Sequence, residues 1–283
     1  MHFADALTER VRRTSPVCIG LDPDLQKLPT GIEKDPAGVL TFCKGIVEAV
    51  KDTASCVKLQ LAYFEVLGWE GMRTFWELCT YAKEQGLIII ADGKRGDIGP
   101  TCEAYAEAYL YEGSPIDALT VNPYLGSDAV KPFLDRCKNG KGIFILVKTS
   151  NPSSGELQDL AVGDEVVHEH LAQLVESWGA SYLGPNTNLS CVGAVVGAAY
   201  PEELKYLRTL MPHCPFLMPG YGAQRGTAED VKHGFIPDGT GAIVSASRSI
   251  IFASSGTDWK EAAREAAQKM AADIRSALGE KVS

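Results

Sequence analysis

The segment ADGKRGDIGPT (91–101) concentrates acid–base groups. Asp92 and Lys94 stand two apart at the end of an apolar run, LIIIAD, and side chains two apart on an extended chain share a face. Asp97 follows three residues later, where Gly96 and Gly99 permit a tight loop, and Pro100 suits the first turn of a following helix. A lysine between carboxylates stays protonated, because opposite charges within about 4–6 Å favour the charged form. Lys58, in a second apolar run CVKLQ (56–60), offers another cation and an alternating Lys–Asp–Lys–Asp array. Such an array can deliver a proton to a carbanion, bind a divalent metal through the aspartates, or serve as a structural ion-pair network. Two lysines among the ligands oppose a metal, and burying four charges for stability alone is costly. Acid–base chemistry is the favoured use.

A candidate anion site lies towards the other end of the chain. PGYGAQRG (219–226) lacks the Lys-Ser/Thr ending of a P-loop, so turn chemistry alone could explain its glycines. Arg248, in SASR (245–248), adds a fork of donors suited to phosphate. Backbone amides of both segments with one arginine would make a phosphomonoester clamp. Arg225 reads equally well as a solvated surface residue.

The elements that must position these groups are eight short apolar runs: VCIGLD (17–22), CVKLQ (56–60), LIIIAD (87–92), ALTVN (118–122), GIFILV (142–147), VGAVVGA (192–198), PFLMPG (215–220) and AIVSAS (242–247). They are nearly continuous in apolar residues, as expected of parallel strands covered on both faces. Helical periodicity fills most intervals, as in 42–50, 72–86 and 201–211. In the last helix Asp258 and Glu261 have capping-box spacing, and Gly279 falls where a C-terminal stop is expected. Eight βα units without a linker predict a (β/α)8 TIM barrel, with 1–283 as a single domain. A doubly wound sheet is the alternative, weakened by the absence of GxGxxG after the first strand. Barrel active sites lie at the C-terminal strand ends. Polar residues collect there: Asp22, Lys58, Gln60, Asp92, Asn122, Lys148 to Asn151, the 220–226 loop and Ser245 to Arg248.

Charge and composition limit the partners. Of 283 residues, 27 are Lys or Arg and 36 Asp or Glu, a net charge of −9 that repels a phosphate backbone and argues against nucleic acid. No apolar run approaches the roughly 20 residues needed to cross a bilayer, so no membrane association is expected. The first residues carry Asp5 and Glu9 and no apolar stretch, unlike a signal peptide or a mitochondrial presequence. Eight scattered cysteines without a CxxC read as buried reduced thiols of a cytoplasmic protein. His168 and His170 point to different faces of a helical stretch and read as solvated, not as a metal pair.

Nearly end to end, the chain resembles orotidine 5′-monophosphate decarboxylases of the bacterial type 2 subgroup. The resemblance rests on GLDP (20–23), VKLQLAYFE (57–65), ADGKRGDIG (91–99), TVNPYLG (120–126), TSNP (149–152), VGAVVGA (192–198), PGYGAQ (219–224) and SASRSIIFA (245–253). DxKxxD alone is shared with other phosphosugar enzymes on this barrel; the longer blocks are far more specific. The resemblance implies that Lys94 protonates carbon six of the pyrimidine, that Asp92 sits beside the departing carboxylate, and that Lys58 holds the ribose and the charge network. It implies that Asp97, with Ile98 and Thr101, enters the site of a partner subunit, giving a homodimer with shared active sites. Asp22 would bind ribose hydroxyls and Ser150 the pyrimidine edge, with Thr149 and Asn151 as neighbours of open role. Gln224 and Arg248 would grip the phosphate, and Asn122, Pro219 and Gly222 would also line the substrate. No metal or organic cofactor is expected, since a fixed ammonium supplies both the electrostatic stabilisation and the proton. Gly93 and Pro100 depart from the family's pattern, which favours small side chains there, and YLGPNTNLSC (182–191) leaves the sixth strand's start open. Two alternatives stand beside this one: a metal-dependent relative such as a keto-sugar-phosphate decarboxylase or hexulose-phosphate synthase, and a catalytically silent barrel.

Overall fold

The computed structural model describes residues 1–222 and 226–279. Eight parallel strands close into a barrel: β1 (Val17–Leu21), β2 (Cys56–Gln60), β3 (Ile88–Arg95), β4 (Ala118–Val121), β5 (Gly142–Lys148), β6 (Val192–Val196), β7 (Phe216–Pro219) and β8 (Ala242–Ala246). Each pairs with the next, and β8 closes on β1 through Val17↔Val244, Cys18↔Ser245 and Ile19↔Ala246. All eight expected strands are present, and closure excludes the doubly wound sheet. The principal helices are α1 (Phe3–Arg13), α2 (Pro36–Val50), α3 (Gly68–Glu84), α4 (Gly99–Leu110), α5 (Ser127–Cys137), α6 (Val167–Gly179), α7 (Pro201–Leu210) and α8 (Trp259–Ala277). Between β7 and β8, among the described residues, one helical turn, Ala228–Val231, and a 3-10 turn intervene.

Registered partners on parallel neighbours share a face, so the pairings sort the lumen from the outer wall. Gly20↔Lys58, Gln60↔Asp92, Thr120↔Phe144 and Phe144↔Gly193 put these residues on the luminal side. The lower lumen is sealed by packing: Phe144 meets Phe3 of α1 edge-to-face at 5.9 Å. Gly142 has to be glycine for this, since a Cβ there would lie 2.3 Å from the Phe3 ring. Above this floor the luminal residues turn polar.

The local expectations divide. Pro100 does occupy the first turn of α4, and Gly279 ends α8 with φ +80°. β3 runs three residues beyond Asp92, so Lys94 belongs to the strand itself. The sixth strand begins at Val192, just after the segment whose boundary was open. The capping box at α8 does not form: Asp258 gives no side-chain cap, because its Oδ1 accepts a hydrogen bond from Ser254 Oγ at 2.6 Å. His168 is buried rather than solvated, with Nδ1 2.9 Å from the Gln158 carbonyl, whereas His170 reaches solvent beside Glu165. All eight cysteines are buried free thiols.

Candidate active site

The charged groups gather at the C-terminal rim of β2, β3 and β4. Lys58 projects from a strand flanked by β1 and β3, and its Nζ donates to Asp92 Oδ2 at 2.7 Å. Lys94 Nζ donates to the other oxygen, Oδ1, at 2.6 Å. Gln60 Nε2 donates to Oδ2 at 3.1 Å and Thr120 Oγ1 to Oδ1 at 2.9 Å, so the Asp92 carboxylate accepts four hydrogen bonds, two on each oxygen. Asp92 and Lys58 are 5% and 7% exposed, while the Lys94 side chain is 44% exposed at the mouth. One end of the chain of charges is thus locked and the other faces an incoming ligand.

The electrostatics follow from this burial. Desolvation pushes the Asp92 carboxyl up, but the charges of Lys58 and Lys94 and their hydrogen bonds outweigh it and hold the group well below the usual carboxylate range. Burial pulls Lys58 down, and the charges of Asp92 and Asp22 more than reverse this, leaving its ammonium above the ordinary lysine value. Both therefore carry full charge at neutral pH. With each Asp92 oxygen already engaged by an ammonium, the carboxylate has little capacity left for a metal ion.

Lys94 has φ +46°, a left-handed conformation that a residue with a side chain seldom adopts. Its N–H donates to Thr120 Oγ1 at 2.9 Å, so Thr120 holds both the Lys94 backbone and the Asp92 carboxylate. Sequence reasoning passed over Thr120, which reads as one more β-branched residue in ALTVN. The available signal was its spacing of two from Asn122, repeating the pairs Lys58/Gln60 and Asp92/Lys94.

The remaining expected residues gather around the same rim to different degrees. Asp22 follows β1, and its charge acts on Lys58; its Oδ1 is buried without a hydrogen-bond partner. Ser247 Oγ, after β8, is likewise buried and unpartnered. Ser247 packs so near Gly20 that a Cβ at that glycine would lie 2.7 Å from its own Cβ. Pro219 ends β7, Gly222 follows with φ +72°, and Arg248 starts a short turn after β8, exposed and without an ion pair to any described residue. Gln224 and Arg225 lie outside the described residues. Asn122 is exposed just past β4, its Oδ1 accepting from the Tyr124 N–H at 3.0 Å. With Thr149, Tyr124 and Leu146 it lines a cleft of about 380 Å3. Thr149 and Asn151 bond to each other at 2.7 Å, whereas the Ser150 hydroxyl has no partner among the described residues.

Within its own chain Asp97 stands apart from the Lys58–Asp92–Lys94 array. It makes no ion pair among the described residues, and its Oδ1 accepts from the Ile98 N–H at 2.7 Å, while Ile98 is 63% exposed and Thr101 is exposed on α4. One sequence-based expectation needs correction: Lys148 is not a rim charge facing the lumen. A bulge between Leu146 and Lys148 pairs Lys148 with outward-facing Val196, and the buried ammonium meets Asp159, and Glu203 at 3.6 Å.

A closed (β/α)8 barrel with a fixed ammonium–carboxylate–ammonium chain at its rim, and a glycine and an arginine after its last two strands, places the chain among barrel enzymes that act at the C-terminal strand ends. The chain belongs to the orotidine 5′-phosphate decarboxylase / HUMPS family, whose model matches residues 15–266. It is 45% identical over 282 residues to an orotidine 5′-phosphate decarboxylase of Rhodopirellula baltica, covering 94% of this chain and 93% of that one. It is 44% identical to the enzyme of that name from Deinococcus radiodurans, covering 98% of each. The structure of Leishmania donovani OMP decarboxylase superposes with a TM-score of 0.82 at 32% identity, covering 99% of this chain and all of that one. Among the described residues no helix is long and apolar enough to cross a membrane.

Proposed function

We propose that this chain decarboxylates orotidine 5′-monophosphate to uridine 5′-monophosphate and CO2, the last step of de novo UMP synthesis, as one domain over residues 1–283. The observation that carries this reading is the Asp92 carboxylate held within 2.7 Å of two ammonium groups, one buried and one open to the mouth. Loss of CO2 breaks the bond from ring carbon six to the carboxyl carbon and leaves the electron pair on carbon six. The Lys94 ammonium stabilises that carbanion and then transfers its proton to it, and solvent at the mouth recharges the amine. Asp92 and Lys58 fix the position and charge of Lys94. Because these charges are preorganised, little reorganisation is needed as the carbanion forms.

The other roles follow the positions on the rim. Asp22, with its unpartnered Oδ1 beside Lys58, accepts from the ribose hydroxyls. Ser150 meets the pyrimidine edge, and Asn122, Pro219, Gly222, Gln224 and Arg248 line or grip the nucleotide, with the phosphate towards Arg248. Phosphate binding far from carbon six supplies energy to assemble the charged site around the ring. Asp97, Ile98 and Thr101 complete the site of a second subunit in a homodimer; the exposure of Ile98 and the absence of Asp97 from its own array support this. We place the enzyme in the cytoplasm.

The test is the ultraviolet absorbance of orotidylate mixed with the protein and excess chelator. Rapid loss of the orotate chromophore, with uridylate as product, supports the reading. An unchanged spectrum overturns it and directs attention to ketose phosphates with magnesium restored.

A further inference from the structure

The loop after β5 is held by its own side chains. The chain leaves the barrel at Lys148, passes Thr149, Ser150 and Asn151, and turns through Pro152–Ser154 and Gly155–Gln158. The Gln158 carboxamide then closes back on Thr149: its Oε1 accepts from the Thr149 N–H at 2.9 Å, and its Nε2 donates to Thr149 Oγ1 at 2.7 Å. Thr149 Oγ1 in turn donates to Asn151 Oδ1 at 2.7 Å. A continuous run of hydrogen bonds therefore fixes the residue before Ser150 and the residue after it, and leaves the Ser150 hydroxyl itself uncommitted.

Gln158 is anchored from behind. Its carbonyl lies 2.9 Å from Nδ1 of buried His168 on α6, and the adjacent Asp159 pairs with Lys148. On the other side, Ser150 lies against the end of β6, so closely that a Cβ at Gly197 would fall 2.9 Å from Ser150 Cβ. The loop is thus gripped at Thr149, at Asn151 and at the β6 wall, with Gln158 joining the first two to the frame of α6.

We infer that Gln158 is a positioning residue for pyrimidine recognition: its two hydrogen bonds to Thr149 hold Ser150 at the height where it reads the ring edge. This rests on the proposed reaction with orotidylate. It separates two parts of the ligand, because the loop serves the pyrimidine and not the phosphate. Gln158→Met fills similar space without either hydrogen bond. Gln158→Glu keeps an acceptor for the Thr149 N–H but loses the donor to the Thr149 hydroxyl, whose single proton can serve either the new carboxylate or Asn151 Oδ1.

The experiment measures binding of uridylate and of ribose 5-phosphate by calorimetry, with kcat and KM for orotidylate, on wild type and both variants. Thermal melting confirms that each is folded. We expect Gln158→Met to weaken uridylate binding by roughly tenfold, as for the loss of a positioned hydrogen-bonding group. Ribose 5-phosphate should bind within about twofold of wild type, and Gln158→Glu, which keeps the bond to the Thr149 N–H, should recover part of the uridylate loss. Equal weakening of both ligands, no weakening of either, or a Gln158→Glu no better than Gln158→Met overturns the inference. A Gln158→Met that does not fold leaves Gln158→Glu to decide: a selective loss of uridylate affinity smaller than threefold supports positioning, and an equal loss of both ligands refutes it. Failure of the underlying reaction is seen separately, in a wild type that neither turns over orotidylate nor binds uridylate.

Discussion

Thr120 offers the sharpest test of how the charged array is held. It is 1% exposed, donates to Asp92 at 2.9 Å and accepts from the Lys94 N–H at 2.9 Å. Lys94 sits at φ +46°, a conformation that costs a residue with a Cβ about 1–2 kcal/mol and persists only where its surroundings hold it. Thr120→Val preserves shape and removes both bonds. A hydrogen bond to an ionised group contributes about 1.5–3 kcal/mol, and an N–H left without a partner costs about 1–3 kcal/mol. Allowing for relaxation of Lys94 towards ordinary strand geometry, about 3 kcal/mol of support is lost. That relaxation carries Nζ away from Asp92 and from the substrate. If most of the loss is felt in the transition state, kcat/KM falls roughly 100-fold, since about 1.4 kcal/mol is tenfold. The assay is the initial rate of orotidylate absorbance loss, with urea unfolding followed in parallel. Thr120→Ser, which keeps the hydroxyl, should remain within about threefold of wild type. A folded Thr120→Val with the wild-type rate refutes the idea that this hydroxyl holds the array.

Further outcomes follow from other parts of the structure. Asp92 has its carboxyl depressed below the ordinary 3.8, so the stability it contributes is present above that value and is lost as pH falls below it. The stability difference between wild type and Asp92→Asn, read by urea unfolding, should therefore be level above pH about 5 and shrink on acidification. Arg208 donates to the carbonyls of Met211, Cys214, Gly234 and Gly241 and stacks 3.6 Å from the Phe216 ring centre, tying α7 to the starts of β7 and β8. Arg208→Met leaves those carbonyls unpaired and should cost about 3 kcal/mol of unfolding free energy, while the folded protein keeps a rate near that of wild type. A shared site predicts complementation: inactive Lys94→Ala and inactive Asp97→Ala, mixed and allowed to exchange, should regain about a quarter of wild-type activity, and no recovery contradicts sharing.

The sequence made the barrel legible because each strand is a nearly unbroken apolar run, and only closure separates this fold from an open doubly wound sheet. The reactive groups were equally legible, since charged residues inside apolar strands such as CVKLQ are costly unless used. What escaped depends on local backbone that spacing does not encode. A single bulge turns Lys148 from the lumen to the outer wall. Ser254 takes the Asp258 carboxylate that would have capped α8. His168 is buried against the Gln158 carbonyl of the preceding loop, a backbone group that carries no sequence signature. Thr120 was hidden for the opposite reason: its type suits a strand so well that nothing marks it as polar machinery.

The central claim is that Lys94 is the proton donor of a decarboxylation that the Asp92–Lys58 pair holds ready. The most direct measurement compares turnover of orotidylate by wild type and Lys94→Ala, with uridylate binding measured on the same samples. The account predicts that Lys94→Ala remains folded, still binds uridylate, and loses roughly 10⁴-fold in kcat, as expected when a general acid and its electrostatic stabilisation are removed together. A Lys94→Ala enzyme within tenfold of the wild-type kcat would contradict it.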